Sequence, residues 1–484
     1  MTRFRKVINF CLFFVLFFIF TFSFGCGKSG QNFSSTLLPN CKWYKGQTEK
    51  ENITKIVILK NVNLTQGFIE SWNADTTNSG SIKCYVLANK TLIISANSNG
   101  VIYANEDSRG LFSGNEENLF FINLEKIEGL ELIDTSKVKT FDYAFNKCHK
   151  LSGELDLSSW DMSNVTSTKA MFQYAGEDGE NVLDVKLPSS LKVYSDFMFN
   201  HNQSYAKESF TIGLNVQHIG YMHMWYNLGT KVEKTSNGYE YIKNQSFISG
   251  NPLFNKFIVE DNNQYFHAED GILYDKNKER LISIPAGKIF DNYTFNIPEG
   301  IKFLNELSFS RTKNIKTIIL PNSYEIIMDF DNEYPDKTIN NGNSLNVAVY
   351  KYTTIKNYEV KQDNSKYVSY NGCIYSKDSE NLIAIPSSYA GYNDNQILQI
   401  KEGTKKIVKN AFFNEVFINN PEISEFGLKI TKIIIPKSII EIDSEQLSLL
   451  NTLISQGIEI EIDKNNSSFE IVDKKIIKKE IIWA

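Results

Sequence analysis

The chain has 484 residues, enough for several domains or one long array of repeats. Its apolar fraction of 42% marks a chain that folds rather than one that stays disordered. A net charge of −5 argues against nucleic-acid binding, which needs a concentrated basic face, and five histidines limit general-base and metal chemistry.

The first segment reads "MTRFRKVINFCLFFVLFFIFTFSFGCG". Arg3, Arg5 and Lys6 precede an apolar run from Val7 to Phe22, and the small residues Ser23 and Gly25 lie directly before Cys26. This is the layout of a secretory signal over residues 1–25. No acid balances those three cations, so the rest of the chain is more acidic than the total. A Cys right after the small residues resembles a bacterial lipobox, in which the thiol of Cys26 becomes acylated and the preceding segment is removed. The competing reading is an uncleaved membrane anchor, although the run is short of the roughly 20 residues that a spanning helix needs.

Residues 26–125 read as a β-rich leader or cap. "ITKIVIL" (53–59), "KCYVLA" (83–88) and "TLIISA" (91–96) are strands, and "VIYANEDSRGLFSG" (101–114) is a turn into a short helix. Two readings stay open for Cys41 and Cys84. An exported protein can pair them as a disulfide, or both can be free thiols in a core, like Cys148 and Cys373. There is no CxxC for zinc or thioredoxin-type chemistry.

Residues 126–205 repeat with a period of 27. Asp134, Ser136, Val138 and Phe145 in "IDTSKVKTFDYAF" match Asp161, Ser163, Val165 and Phe172 in "WDMSNVTSTKAMF", and a further period leads to Phe199. "GLELI" (129–133), "GELDLSSW" (153–160) and "LDVKL" (183–187) alternate apolar and polar residues as half-buried strands do.

Residues 206–484 repeat on a longer scale. "HAEDGILYDKNKERLISIPAG" (267–287) returns as "SYNGCIYSKDSENLIAIPSS" (369–388), so that Gly271 and Pro285 match Gly372 and Pro386 at an offset of 101. Asp270-Gly271 and Asn371-Gly372 are hairpin turns. A worn third copy begins at Phe469 and is cut short at Ala484. Between the hairpins run shorter units, "FNIPEGIKFL", "IILPNSYEII" and "IIIPKSIIEI", in which a strand ends at a Pro that cannot donate a ladder hydrogen bond. Residues 329–346 are polar and aperiodic, and read as a surface insertion.

The repeats resemble the Asp-Thr-Ser-x-Val / Met-Phe-x-x-Cys units of BspA-like leucine-rich repeat surface proteins of bacteria, over roughly residues 110–484. The hairpin and "LPNSYEII" units are similar to the second repeat type of that family, with Ala411-Phe412 and Ser246-Phe247 at its Ala-Phe positions. The resemblance implies a β-rich α/β fold: a leucine-rich-repeat solenoid of stacked parallel strands with short helices, turns and inserted β-hairpins. It also implies an adhesin or receptor at the cell surface. Stacking has independent support, because each unit carries too few apolar residues to bury a core alone.

In "LIDTSKV" (132–138) the Asp-Thr-Ser resembles an aspartic protease loop. Such a site needs two facing carboxylates, whereas Asp134 and Asp161 would stack along one edge. Asx-type turns are the better reading. His218 and His223 have no HExxH and no acidic third ligand beside them. "KKIIKKE" (474–480) reads as a solvated strand edge. No catalytic, cofactor or metal residues are assigned. The function expected is that of a lipid-anchored binding module in the bacterial envelope, probing an extracellular host protein or glycan and touching the membrane only through Cys26. The alternative is an envelope scaffold that holds proteins or cells together.

Overall fold

The computed structural model describes residues 36–96, 101–113, 120–181, 183–195, 198–199, 209–219, 229–235, 238–245, 255–305, 308–309, 312, 314–324, 353–412 and 428–479. These form a β-rich repeat fold. α-Helix among the described residues is confined to Ser444–Ser455, so the helical share expected from the sequence shrinks to one helix plus turns. That helix starts because Asp443 caps it, accepting from the Glu445 N–H at 3.0 Å and the Gln446 N–H at 3.4 Å.

The leader folds into one sheet. Its strands run in the order Glu70–Asn73, Ile82–Val86, Thr91–Ala96, Lys55–Lys60 and Lys126–Glu128. The first three are antiparallel to one another; the last two pairings are parallel. The fifth strand comes from beyond residue 125, so the boundary read there is not a boundary of packing. The segment "GLELI" is also not a strand. Gly129 takes φ +85°, and a Cβ there would lie 2.3 Å from the Ile58 carbonyl oxygen. Only glycine tolerates that approach, and the chain turns through Leu130–Leu132 before pairing again at Ile133–Asp134.

Stacking begins earlier than the period of 27 suggests. Ile102–Tyr103 pairs in parallel with Ile133–Asp134, and single bridges link Asp107 to Thr140 and Thr140 to Ser167. Residues 101–113 of "VIYANEDSRGLFSG" are therefore a layer of the stack and a set of turns, not the start of a helix. Gly153–Asp156 then pairs in parallel with Leu183–Lys186, Val193–Tyr194 with His218–Ile219, and Ser209–Ile212 with Lys256–Val259. An antiparallel hairpin, Gly229–Thr235 with Gly238–Gln245, interrupts this run.

The C-terminal half alternates two motifs. Phe266–Glu269, Ile272–Asp275 and Arg280–Ser283 are an antiparallel meander; Tyr367–Tyr370, Cys373–Ser376 and Asn381–Ala384 repeat it. Phe469–Val472 and Lys475–Lys478 form the hairpin of the third copy. Between them lie two parallel triplets. Thr294–Asn296, Thr317–Leu320 and Asn357–Val360 make the first; Ile397–Gln399, Lys432–Ile435 and Glu459–Ile462 make the second. Strand Thr317–Leu320 ends directly before Pro321, and Lys432–Ile435 directly before Pro436, as a residue without an N–H requires. The buried apolar side chains form three clusters: Leu37 to Leu273, Ile272 to Ala384, and Cys373 to Ile476.

Candidate binding surface

The repeat residues hold turns. Asp134 Oδ1 accepts from the Ser136 N–H at 2.9 Å and from its hydroxyl at 2.6 Å, and Asp161 Oδ1 accepts from the Ser163 N–H at 2.9 Å. Hydrogen bonds from the Ser163 side chain and backbone hold the Asp161 carboxyl below the usual carboxylate range. The next layer is tied in as well: the Thr135 hydroxyl donates to Asp161 O at 3.0 Å, and Asn164 Nδ2 donates to Ser136 O at 2.8 Å. Both carboxylates thus serve backbone groups. No pair of carboxylates faces across a shared site here.

The aromatic positions form a ladder through the core. Phe112, Phe145, Phe172 and Phe199 stack with ring centroids 5.5, 5.3 and 5.1 Å apart. Their backbones climb together: Phe112 N donates to Ala144 O, Phe145 N to Met171 O and Phe172 N to Met198 O, at 2.7, 2.8 and 2.8 Å. Phe112 is a rung that sequence reading missed. It lies 33 residues before Phe145 rather than 27, so the period hides it.

Gly271 and Gly372 sit at hairpin turns with φ +74° and +80°, each after a left-handed Asp270 or Asn371. Pro285 and Pro386 open tight turns, closed by Lys288 N on Pro285 O at 3.1 Å and Tyr389 N on Pro386 O at 3.2 Å. A buried asparagine in each copy went unnoticed in the sequence. Asn263, Asn364 and Asn466 are almost wholly buried. The Asn364 Nδ2 donates to Pro321 O at 2.8 Å and Tyr324 O at 2.9 Å, while its Oδ1 accepts from the Lys366 and Tyr367 N–H groups at 2.9 Å each. Asn466 does the same to Pro436 O, Ile439 O and the N–H groups of Ser468 and Phe469. Asn263 does so to Gly213 O, Val216 O and the N–H groups of Tyr265 and Phe266. Every hydrogen-bonding capacity of the amide is filled. Each one bolts a hairpin to the Pro- or Gly-led turn of the unit before it. The available signal was an Asn three residues ahead of the aromatic that opens each hairpin, at Phe266, Tyr367 and Phe469.

Cys41, Cys84 and Cys148 lie in the first core cluster as buried free thiols, and Cys373 lies in the third. Burial pushes the Cys41 thiol up to about 11, with Lys50 working against it, and burial raises Cys84 further. Cys26, His223, Ser246-Phe247 and the insertion 329–346 lie outside the described residues, as does the side chain of His218. Ala411 and Phe412 are buried. Lys475, Ile477 and Lys478 are exposed and Ile476 alone of that strand is buried, a largely solvated strand. Among the described residues no group of three or more His, Cys, Asp or Glu could hold a metal ion, and no helix is long and apolar enough to cross a membrane.

Among the described residues, the exposed strand faces and turns are largely polar, with apolar residues such as Ile258, Ile471 and Ile477 among them. On the face, charges alternate across neighbouring strands: Lys186 meets Glu154 at 2.7 Å, and Lys432 meets Glu459 at 2.9 Å and Glu461 at 2.7 Å. Such exposed pairs contribute little stability and leave the face wettable.

A family model described as "Mycoplasma protein of unknown function, DUF285" matches residues 115–237, the segment that contains the period of 27. No curated protein matches the chain. Among solved structures, a leucine-rich repeat protein from Eubacterium ventriosum is similar over 86% of this chain and 97% of its own, at 14% identity and a TM-score of 0.41. The pneumococcal vaccine antigen PcpA is similar over 85% of this chain and 90% of its own, at 14% identity and a TM-score of 0.37.

Proposed function

We propose that the chain is a lipid-anchored surface protein of the bacterial envelope, a stacked-strand solenoid of the leucine-rich-repeat kind whose exposed turns and sheet face bind a host extracellular protein or glycan. The observation that carries this reading is where the polar side chains are used. Asp134 and Asp161 serve turns and the three buried asparagines bolt units together, so the repeats invest in a long, rigid display surface. The export layout before Cys26 supports a placement at the cell envelope.

Two measurements test it. Palmitate labelling of the chain in cells should disappear in Cys26→Ala; labelling that persists removes the lipid anchor. Protease added to intact cells should cut the protein. A protein shielded until the envelope is opened removes the surface reading and leaves an internal scaffold.

A further inference from the structure

The third hairpin is closed by a side chain where the first two are closed by a strand. In the first meander Leu273 pairs with Ser283 of the third strand, and in the second Ile374 pairs with Ala384. Ile476 holds the equivalent place in the third copy, 102 residues after Ile374. Its partner is Asn451 on the helix Ser444–Ser455. The Ile476 N–H donates to Asn451 Oδ1 at 2.7 Å, and Asn451 Nδ2 donates to Ile476 O at 3.4 Å. A primary amide carries the donor and the acceptor of a peptide unit, so it can stand in for one rung of an antiparallel ladder.

Two further features keep the edge in this state. The helix is anchored: Leu450 and Leu453, on either side of Asn451 in the chain, lie buried in the same core cluster as Ile476, and Gln446 Oε1 accepts from the Phe412 N–H at 2.8 Å. The strand itself also differs from its counterparts. Lys475 and Lys478 stand where the first copy has Ile272 and Asp275 and the second has Cys373 and Ser376. Ile272 and Cys373 are buried, whereas both lysines are exposed. Lysines blunt an edge, because a strand laid beside them would strip water from their ammonium groups.

We infer that the helix Ser444–Ser455 guards this edge: Asn451 takes the place of a third strand and shuts out the equivalent strand of a second copy of the chain. Arg280–Ser283 and Asn381–Ala384 are strands of that kind, and each already pairs with the residue equivalent to Ile476 in its own block. Repeats of one pattern therefore hold both the edge and the strand that fits it, the condition under which copies exchange elements. The guard removes the vacancy without adding a strand. It operates whatever ligand the surface binds.

The test uses the full chain in detergent and a synthetic peptide with the sequence of residues 379–386, "SENLIAIP", in place of the third strand of a second copy. Hydrogen exchange at the Ile476 amide and saturable binding of the peptide are both read. In the parent the amide should be protected and the peptide should not bind. Asn451→Ala puts a better helix former at this position, so Leu450 and Leu453 should stay protected. In that variant the Ile476 amide should exchange about tenfold faster or more, and the peptide should bind and restore its protection. Asn451→Gln also suits the helix but carries its amide one methylene too far, and should admit the peptide within about threefold of Asn451→Ala; it decides the matter if alanine loosens the helix. Equal exchange at Ile476 in the parent and both variants overturns the inference. So does a parent that binds the peptide as well as the variants do, a pair of variants that exclude it, or a scrambled peptide that binds equally well.

Discussion

The layers around Phe112 to Phe199 and the blocks from Asn263 to Asn466 solve one problem in two ways. Each must join a unit to the next when neither has a core of its own. The first region does it with a continuous aromatic stack inside and Asx turns outside. The second breaks its apolar interior into separate clusters and holds each hairpin to the unit before it through a saturated buried amide. Ring stacking spreads cohesion along the axis and tolerates no gap. An amide bolt concentrates cohesion at one residue and leaves the blocks on either side free to differ.

The sharpest way to break this contrast is at the two joints themselves. Phe145→Ala removes the middle of the ladder and should cost about 4 kcal/mol, because the neighbouring rings are fixed by their own backbones and cannot collapse into the cavity. Hydrogen exchange should show amides of the first cluster exposed while those around Tyr358 and Ile374 keep their protection. Loss of protection in both regions together would mean the joints are not independent. Asn364→Ala should cost about 3 kcal/mol by orphaning the Pro321 and Tyr324 carbonyls and two N–H groups. Asn364→Asp should be worse still in chemical denaturation, since a carboxylate would face those two carbonyls. If Asp is tolerated as well as Asn, the amide is not a bolt.

Smaller changes sharpen the comparison among the hairpins. Copies one and two place Gly271 and Gly372 at the second left-handed turn position; the third has Lys474 there, at φ 60°. Lys474→Gly should stabilise the third hairpin by about 1 kcal/mol, visible as slower exchange at Phe469–Val472. The smallest effect lies on the outer face. Lys361 first, then the N–H groups of Asn322 and Ser323 and the Ser323 hydroxyl, hold the Glu299 carboxyl down to about 2. Its contribution is complete above the ordinary carboxylate value and is lost as pH falls from there toward about 2. Glu299→Gln should therefore match the parent near pH 2 and be less stable at neutral pH, by under about 1 kcal/mol because the pair is half exposed. A deficit that stays constant with pH would remove the ionic explanation.

The sequence announced what recurs in both spacing and residue type. Phe145, Phe172 and Phe199 keep one interval, so the ladder was readable from its second rung onward. Phe112 was not, since an insertion before Phe145 breaks the interval and leaves "SRGLFSG" looking like a helix start. The leader strands were readable because Ile, Val and Leu at "ITKIVIL" and "TLIISA" have no helical period. "GLELI" misled for the opposite reason: its alternation is that of a strand, and only the approach of Ile58 O to Gly129 decides against it. The buried asparagines stayed hidden because polar residues near turns are common, and burial is what separates these from the rest.

The amide bolt has one more consequence. A block running from Asn263 to Asp363 carries the amide at its front and, at Pro321 to Tyr324, the turn that the next amide requires at its back. Copying that stretch in frame would recreate the same junction at both ends. Deleting it would let Asn364 meet the Gly213–Val216 turn that Asn263 now holds. The length of such a molecule is thus an inherited quantity that can lengthen or shorten by whole blocks without any new fitting of surfaces.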